Sequence, residues 1–307
     1  MIPPARPDRI PSPAPADHGG SFGASYGGGA GYRDGAGAEA IDDALNRGEF
    51  HLVYQPKLDV RAKQVTSVEA LMRWHHPRDG LRMPDSFIGD TEASGAIDRL
   101  TLWAFDRAIA DQRWMRETHR VEIIPYVNLS AQLLNQPTIV VALCQRAKIA
   151  GVKLGIEITE RSVINDPEHA FANIDRLREA GYAIAIDDYG VGLSSLTYLK
   201  QIAADELKID KSFVMALDTS HRDPLIVRST IDLAHALGMV VTAEGVESPA
   251  AYALLSVMGC DLVQGYLIGR PMPLADLVGF LGSFDESSIA FPKDQSVLTN
   301  AAFWKRA

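Results

Sequence analysis

The sequence contains few cysteines, no excess of basic residues and no long hydrophobic run. Its two cysteines, Cys144 and Cys260, are far apart and lack CxxC spacing, which argues against a disulfide framework and a zinc cluster. The formal net charge of -9 argues against binding to nucleic-acid polymers, because their phosphates attract basic surfaces. No segment has the pattern of a signal peptide or a membrane span. We therefore expect a cytoplasmic protein with reduced thiols and no membrane partner.

Composition divides the chain into three parts. Residues 1–37 contain six prolines and nine glycines without sustained apolar periodicity, which predicts a disordered leader. Residues 38–284 mix apolar and charged residues, and we predict that they form one folded domain. Residues 285–307 are predicted to form a C-terminal tail.

Within residues 38–284, apolar runs of strand length alternate with amphipathic segments of helix length. This alternation is typical of parallel βα units, and eight strand candidates favour an α/β fold, a TIM-like (β/α)8 barrel. The strands are predicted at 51–59, 65–73, 122–129, 153–159, 182–187, 205–209, 239–244 and 260–265. Because only a short turn separates the first two, we expect the first strand to pair antiparallel.

Helices are predicted between these strands, at 98–117, 131–149, 167–180, 193–201, 224–237 and 249–258. Three of them have a clear start, because Asp166, Asp223 and Ser248 each precede a proline. A side-chain oxygen followed by a proline at the first helical position is typical of a helix N-cap. We therefore expect these three residues to cap their helices.

Polar residues occur at or near the C-terminal ends of seven predicted strands: Glu69, Asn128, Glu157, Asp187, Asp188, Lys208, Glu244 and Gln264. In a barrel these ends converge on one face, where active sites are built. Taken singly, each residue has an ordinary explanation, such as a solvent-facing strand position, a turn or a helix cap. All of these explanations would have to hold at once, so the pattern favours a shared site.

The residue types at these strand ends suit hard divalent cations. Mg²⁺ and Mn²⁺ prefer carboxylate and carbonyl oxygens, and the lack of a His or Cys cluster disfavours zinc. Several carboxylates can hold two such ions about 4 Å apart, where they activate a water beside a phosphate ester. Asp187 is best placed to bridge two ions, because its neighbour Asp188 can reach the second. Lys208 should stay protonated among the acids and orient the water.

Eight short motifs follow one another between about residues 40 and 284. They are YQPKLD, EALMRW, YVNLS, GIEITE, AIDDYGVGLSSL, ELKIDKSFV, TAEGVE and QGYLIGRPMP. In this order they resemble the EAL-domain cyclic di-GMP phosphodiesterases, whose name triplet stands here as Glu69-Ala70-Leu71. The resemblance implies a TIM-like barrel and hydrolysis of the bacterial second messenger cyclic di-GMP to linear 5′-pGpG. It further implies two Mg²⁺ or Mn²⁺ ions per site and a homodimer.

The resemblance also assigns roles to individual residues. The metal ligands it implies are Glu69, Asn128, Glu157, Asp187, Asp188 and Glu244. The catalytic residues it implies are Lys208, Glu244, Gln264 and Glu69. Substrate contacts are implied for Gln55, Arg73 and Asp210, and a loop-stabilising role is implied for Glu160.

The loop at residues 189–193 departs from the sequence that is usual in the family. Tyr189, Val191 and Leu193 stand where relatives often have Phe, Thr and Tyr. The resemblance implies that this loop links dimer contact to metal binding. We therefore expect these three replacements to affect the strength of the dimer and the rate of hydrolysis.

Two other functions compete with hydrolysis of cyclic di-GMP. One is a non-catalytic cyclic di-GMP receptor or interaction module, and the other is an unrelated metal-dependent barrel enzyme that acts on small phosphate esters. Receptors of this family generally lack several metal ligands. This chain has a residue of the right type at every matched position, which favours the enzyme.

Overall fold

The computed structural model describes residues 37–160, 162, 166–191, 196–217, 220 and 222–289. Residues 1–36 of the predicted leader and residues 290–307 of the predicted tail lie outside the described residues. The same holds for residues 192–195, which include Leu193 of the altered loop.

Nine strands form one mixed sheet in the described part of the chain. They are β1 Phe50–Asp59, β2 Gln64–His76, β3 Gly80–Arg82, β4 Ile124–Asn128, β5 Gly155–Thr159, β6 Ala183–Tyr189, β7 Glu206–Ile209, β8 Val240–Ala243 and β9 Leu262–Gln264. The strand order β1-β9-β8-β7-β6-β5-β4-β2 closes through a β1–β2 pairing, and β3 extends a hairpin from β2. β1 is antiparallel to both β2 and β9, whereas the ring pairs from β2 through β9 are parallel. The predicted barrel with an antiparallel first strand is confirmed.

Helices follow most of the strands and cover the outside of the barrel. They are α1 Ala38–Asn46, α2 Ile88–Ser94, α3 Ile97–Trp114, α4 Ala131–Leu134, α5 Pro137–Ala150, α6 Pro167–Glu179, α7 Leu196–Leu199, α8 Lys211–Val214, α9 Asp223–Ala236, α10 Pro249–Met258 and α11 Leu274–Ser283. Among the described residues, no helix is both long enough and apolar enough to cross a membrane.

Two details of the helix prediction were wrong. The single helix predicted at 131–149 is divided into α4 and α5, because Pro137 cannot donate a backbone hydrogen bond and instead occupies the start of α5. Asp223 is the first residue of α9 and does not cap it with its side chain. Asp166 and Ser248 do cap α6 and α10, since their side chains accept from backbone N–H groups three residues later.

The apolar core lies between the barrel and its helices, and a smaller cluster packs at the start of the domain. In the smaller cluster, Trp74 stacks on Phe50 with 5.1 Å between ring centroids, and Ile41 of α1 packs against them. The sequence interpretation had no element for α1, which forms because its apolar residues can cover these aromatic rings. At the other end of the chain, Ile289 is buried although it belongs to the predicted tail.

Candidate metal and phosphoester site

The polar strand-end residues meet inside the barrel, as the parallel register requires. Glu157 is paired with Asn128 across β4 and β5, and Thr159 with Asp187 across β5 and β6. Because side chains alternate along a strand, residues at matching heights point to the same side of the barrel wall. Glu244 follows β8 directly, and Gln264 ends β9.

Lys208 on β7 is the centre of the cluster. Its Nζ lies 2.6 Å from Glu157 Oε2, 2.7 Å from Glu244 Oε1 and 2.9 Å from Asp187 Oδ1. Glu69 Oε2 is more distant, at 3.6 Å. The lysine side chain is completely buried. Burial alone would lower the pKa of Lys208, but the four carboxylates raise it well above its ordinary value, so the group stays charged.

Amide groups hold both oxygens of Glu69. Asn128 Nδ2 donates to Glu69 Oε1 at 2.9 Å, and Gln264 Nε2 donates to Glu69 Oε2 at 2.6 Å. Burial tends to raise the pKa of Glu69, but Lys208 and these two hydrogen bonds lower it to about 2. Glu69 is therefore an ionised carboxylate in a fixed orientation.

Three carboxylates in the cluster could hold a metal ion. Asp187, Asp188 and Glu244 each offer an oxygen, and these oxygens lie within 4.8 Å of one another. Asp188 has a positive φ of 55°, a backbone conformation that costs energy for a residue with a side chain and is often found at functional sites. This trio forms part of the predicted ligand set.

The charge balance of the site also suits added cations. The carboxylates that share the two buried ammonium groups, Lys57 and Lys208, are Glu69, Glu157, Asp187, Glu206 and Glu244. Burial, together with neighbouring acids, raises the pKa of Glu244 to about 7 and raises that of Asp188 above its usual value. An excess of buried negative charge is relieved either by protons or by metal ions. The carboxylate-rich donor set therefore fits a hard divalent cation.

The residues with implied substrate roles each interact with a member of the cluster. Gln55 Oε1 accepts from Gln264 Nε2 at 3.1 Å, which joins Gln55 to the Glu69 side of the site. The guanidinium of Arg73 donates to the carbonyl oxygen of Met72 at 2.7 Å. Burial lowers the pKa of Arg73, and the negative charge of Glu69 opposes this effect. Asp210 caps α8 by accepting from the backbone N–H of Ser212 at 2.9 Å, and its charge contributes to the raised pKa of Asp188.

Glu160 lies beside the altered loop. Its backbone N–H donates to the carbonyl oxygen of Asp187 at 3.4 Å, and its charge adds to the effect of burial in raising the pKa of Tyr189. Gly190, the residue after Tyr189, has a φ of 102°, and a Cβ there would lie 2.8 Å from the Phe213 ring. The backbone at Gly190 thus needs glycine, whereas Val191 is exposed. The loop-stabilising role of Glu160 remains a prediction.

Sequence reasoning missed two buried members of the site, Lys57 and Glu206. Lys57 Nζ donates to Glu157 Oε1 at 2.7 Å and to Glu206 Oε1 at 2.8 Å. A signal for Glu206 was present, because it lies two residues before Lys208 and therefore points to the same side of β7. Lys57 is likewise two residues after Gln55 on β1.

Residues 38–271 match the EAL domain family. The chain belongs to the EAL domain family. This EAL domain is 39% identical over 249 residues to the Cyclic di-GMP phosphodiesterase NbdA of Pseudomonas aeruginosa, in an alignment that covers 80% of this chain and 32% of that relative. The chain spans about a third of the length of the first curated relatives it matches.

Solved structures of EAL proteins have the same fold. The structure described as PaMucR Phosphodiesterase, c-di-GMP complex, aligns with a TM-score of 0.73 and 34% identity, covering 78% of this chain and 98% of that one. The EAL enzyme Bd1971, in a form bound to cAMP and cyclic-di-GMP, aligns with a TM-score of 0.75 and 31% identity, covering 80% and 68%. The EAL barrel described above is therefore shared with proteins whose structures contain this dinucleotide.

Proposed function

We propose that this EAL domain is a metal-dependent phosphodiesterase that hydrolyses cyclic di-GMP to linear 5′-pGpG. The observation that carries the proposal is the ring of strand-end carboxylates around Lys208, in the fold of relatives named cyclic di-GMP phosphodiesterases. In this hydrolysis a water oxygen joins phosphorus and the bond to the 3′ oxygen breaks, so the phosphate remains on the 5′ carbon of the product.

The ligands for two Mg²⁺ or Mn²⁺ ions would be Glu69, Asn128, Glu157, Asp187, Asp188 and Glu244. Such ions supply a lowered pKa for a nearby water and neutralise charge on the phosphate. Lys208, which stays protonated, would orient the water and stabilise charge that develops on the phosphoryl oxygens. Gln264 and Glu244 complete the catalytic set together with Glu69.

Recognition of the dinucleotide is assigned to three side chains. The planar guanidinium of Arg73 can donate two hydrogen bonds at once to a phosphate or to a guanine edge. Gln55 and Asp210 can bind polar groups of the substrate. The charge of Glu69 acts to raise the pKa of Arg73, which supports the assignment of Arg73 to the same site.

Incubation of the protein with cyclic di-GMP and Mg²⁺ or Mn²⁺, followed by mass spectrometry, tests the proposal. We expect pGpG that disappears with EDTA and in Glu69→Ala. The matched control is Glu122→Ala, which removes an exposed glutamate before β4 and should leave product formation unchanged. Calcium should inhibit, because its looser coordination suits this chemistry poorly. Tight binding without product would contradict the enzyme and favour a cyclic di-GMP receptor.

Selectivity separates this function from a general phosphoesterase. A simple phosphodiester such as bis(p-nitrophenyl) phosphate, offered at the same concentration, should be cleaved far more slowly than cyclic di-GMP. Equal rates on the two substrates would point to an unrelated type of metal-dependent barrel enzyme.

Assembly, location and domain limits belong to the same proposal. A homodimer is supported by two exposed apolar side chains, Val191 within the altered loop and Leu196 three residues after it. Light scattering during size-exclusion chromatography measures it directly. The free thiols of Cys144 and Cys260 are in keeping with a cytoplasmic protein. We further propose residues 38–284 as the catalytic domain.

A further inference from the structure

Lys57 is buried inside the barrel next to the proposed metal ligand Glu157. Its Nζ lies 2.7 Å from Glu157 Oε1 and 2.8 Å from Glu206 Oε1, and 3.9 Å from the centroid of the Tyr126 ring. The lysine is completely excluded from solvent. A buried ammonium group needs such partners, because its desolvation is otherwise too costly.

Glu206 holds Lys57 in position through the second hydrogen bond of its ammonium group. It is 1% exposed, and its Oε1 also accepts from Thr242 Oγ1 at 2.7 Å. The chain of contacts therefore runs from Thr242 on β8 through Glu206 on β7 and Lys57 on β1 to Glu157 on β5. Strands on different sides of the barrel are joined by charged hydrogen bonds, which are short and directional.

The two oxygens of Glu157 are held by different lysines. Oε1 accepts from Lys57 at 2.7 Å and Oε2 accepts from Lys208 at 2.6 Å. A carboxylate has about four lone-pair sites, so one hydrogen bond on each oxygen leaves others for a cation. Two donors on two oxygens also fix the plane of the carboxylate, which a single donor would leave free to rotate.

We propose that Lys57, anchored by Glu206, is a positioning residue that orients Glu157 for binding of a divalent ion. Residues of this kind, which hold a ligand without touching the metal, commonly change metal affinity when they are replaced. The inference rests on the proposed function, because it takes Glu157 to be a metal ligand. In this proposal Lys57 acts through Glu157 and not on the substrate.

The test is calorimetric titration of Mn²⁺ into metal-free Lys57→Met, together with the spin-resonance spectrum of the bound Mn²⁺. Methionine keeps most of the side-chain volume but cannot donate to Glu157. We expect Mn²⁺ affinity to fall by roughly 10- to 100-fold and the spectrum to change. The matched control is Lys63→Met, which removes a lysine paired with Glu286 at 2.9 Å on the solvent-exposed β1–β2 turn. This control should bind Mn²⁺ as the wild type does.

A second variant separates positioning from folding. Lys57→Met leaves Glu206 as an unpaired buried charge, which destabilises the barrel. In the double variant Lys57→Met with Glu206→Gln, that charge is removed and the melting temperature should recover, while Glu157 Oε1 still lacks the donor that Lys57 supplied. Weak Mn²⁺ binding in a double variant of restored stability is the result we expect.

Recovery of Mn²⁺ affinity together with stability, or a single variant that binds Mn²⁺ as the wild type does, would overturn the inference. In that case formation of pGpG by the wild type would still support the proposed function. A wild type that binds no divalent ion and forms no pGpG would refute both.

Discussion

Glu244 should make the stability of the metal-free protein depend on pH. Its carboxylate lies 2.7 Å from Lys208, and its side chain is only 17% exposed. Burial raises its pKa from 4.5 to about 7, with Asp187 and Glu69 adding to the effect and Lys208 opposing it. When EDTA removes bound metal, only protons can neutralise the Glu244 carboxylate.

The direction of the pH dependence follows from the pKa of Glu244 in the folded and in the unfolded chain. Folded Glu244 holds its proton more tightly than the unfolded chain does, so protonation stabilises the fold fully below about pH 4.5. That stabilisation is lost as the pH rises through the folded pKa of about 7. Since one pKa unit corresponds to about 1.4 kcal/mol, the whole change amounts to about 3 kcal/mol in the free energy of unfolding.

Urea unfolding followed by circular dichroism, in EDTA between about pH 5 and about pH 8, measures this change in the wild type and in Glu244→Gln. A comparison is needed because His51 acts in the opposite direction. Burial lowers its pKa from 6.5 to about 4, so its contribution to stability increases with pH across that window. The two proteins share His51, and their difference isolates Glu244.

Glutamine resembles the protonated acid, so the two proteins should be about equally stable near pH 5. Near pH 8 the metal-free variant should be more stable by about 3 kcal/mol. Saturating Mg²⁺ or Mn²⁺ should remove this advantage, because a cation stabilises the ionised glutamate. A variant that is no more stable than the wild type near pH 8 would refute the reasoning.

Three further predictions concern turnover, a close backbone contact and the smaller apolar cluster. Lys208→Met should lower the rate of pGpG formation at saturating Mg²⁺ by roughly 10²- to 10³-fold in a single-turnover assay, and an unchanged rate would exclude a catalytic role for the lysine. Gly265→Ala would set a Cβ 2.2 Å from the carbonyl oxygen of Val246, so both the melting temperature and the turnover should fall. Trp74→Ala should cost about 3–5 kcal/mol in urea unfolding because it removes the ring that stacks on Phe50, while Mn²⁺ affinity stays unchanged.

The order of strands and the polar residues at their ends could be predicted from the sequence. Alternation of apolar runs with helix-length segments is a local property, and the short turn after Asp59 already excludes a parallel crossover. Glu157 within an apolar run and the Asp187-Asp188 pair were visible as unusual residues for the same reason. The break in the helix before Pro137 could also have been predicted, since proline disfavours a helical backbone in the residue before it.

Other features depend on contacts between distant parts of the chain. α1 forms against aromatic rings that lie in β1 and β2, and nothing in its own residues identifies that partner. Residues that are far apart in sequence approach each other only when the barrel closes through the β1–β2 and β1–β9 pairings. The register of those pairings sets which side chains share a height inside the barrel.

By itself, the sequence determined the barrel, the family and the set of acids that suits divalent cations, because these follow from local periodicity and from residue type at strand ends. Only the tertiary structure decided that Lys208 contacts four carboxylates and that Lys57 joins Glu157 to Glu206. The reason is physical: the pKa and orientation of a buried charge depend on neighbours within a few ångströms, and here those neighbours come from different strands across the barrel.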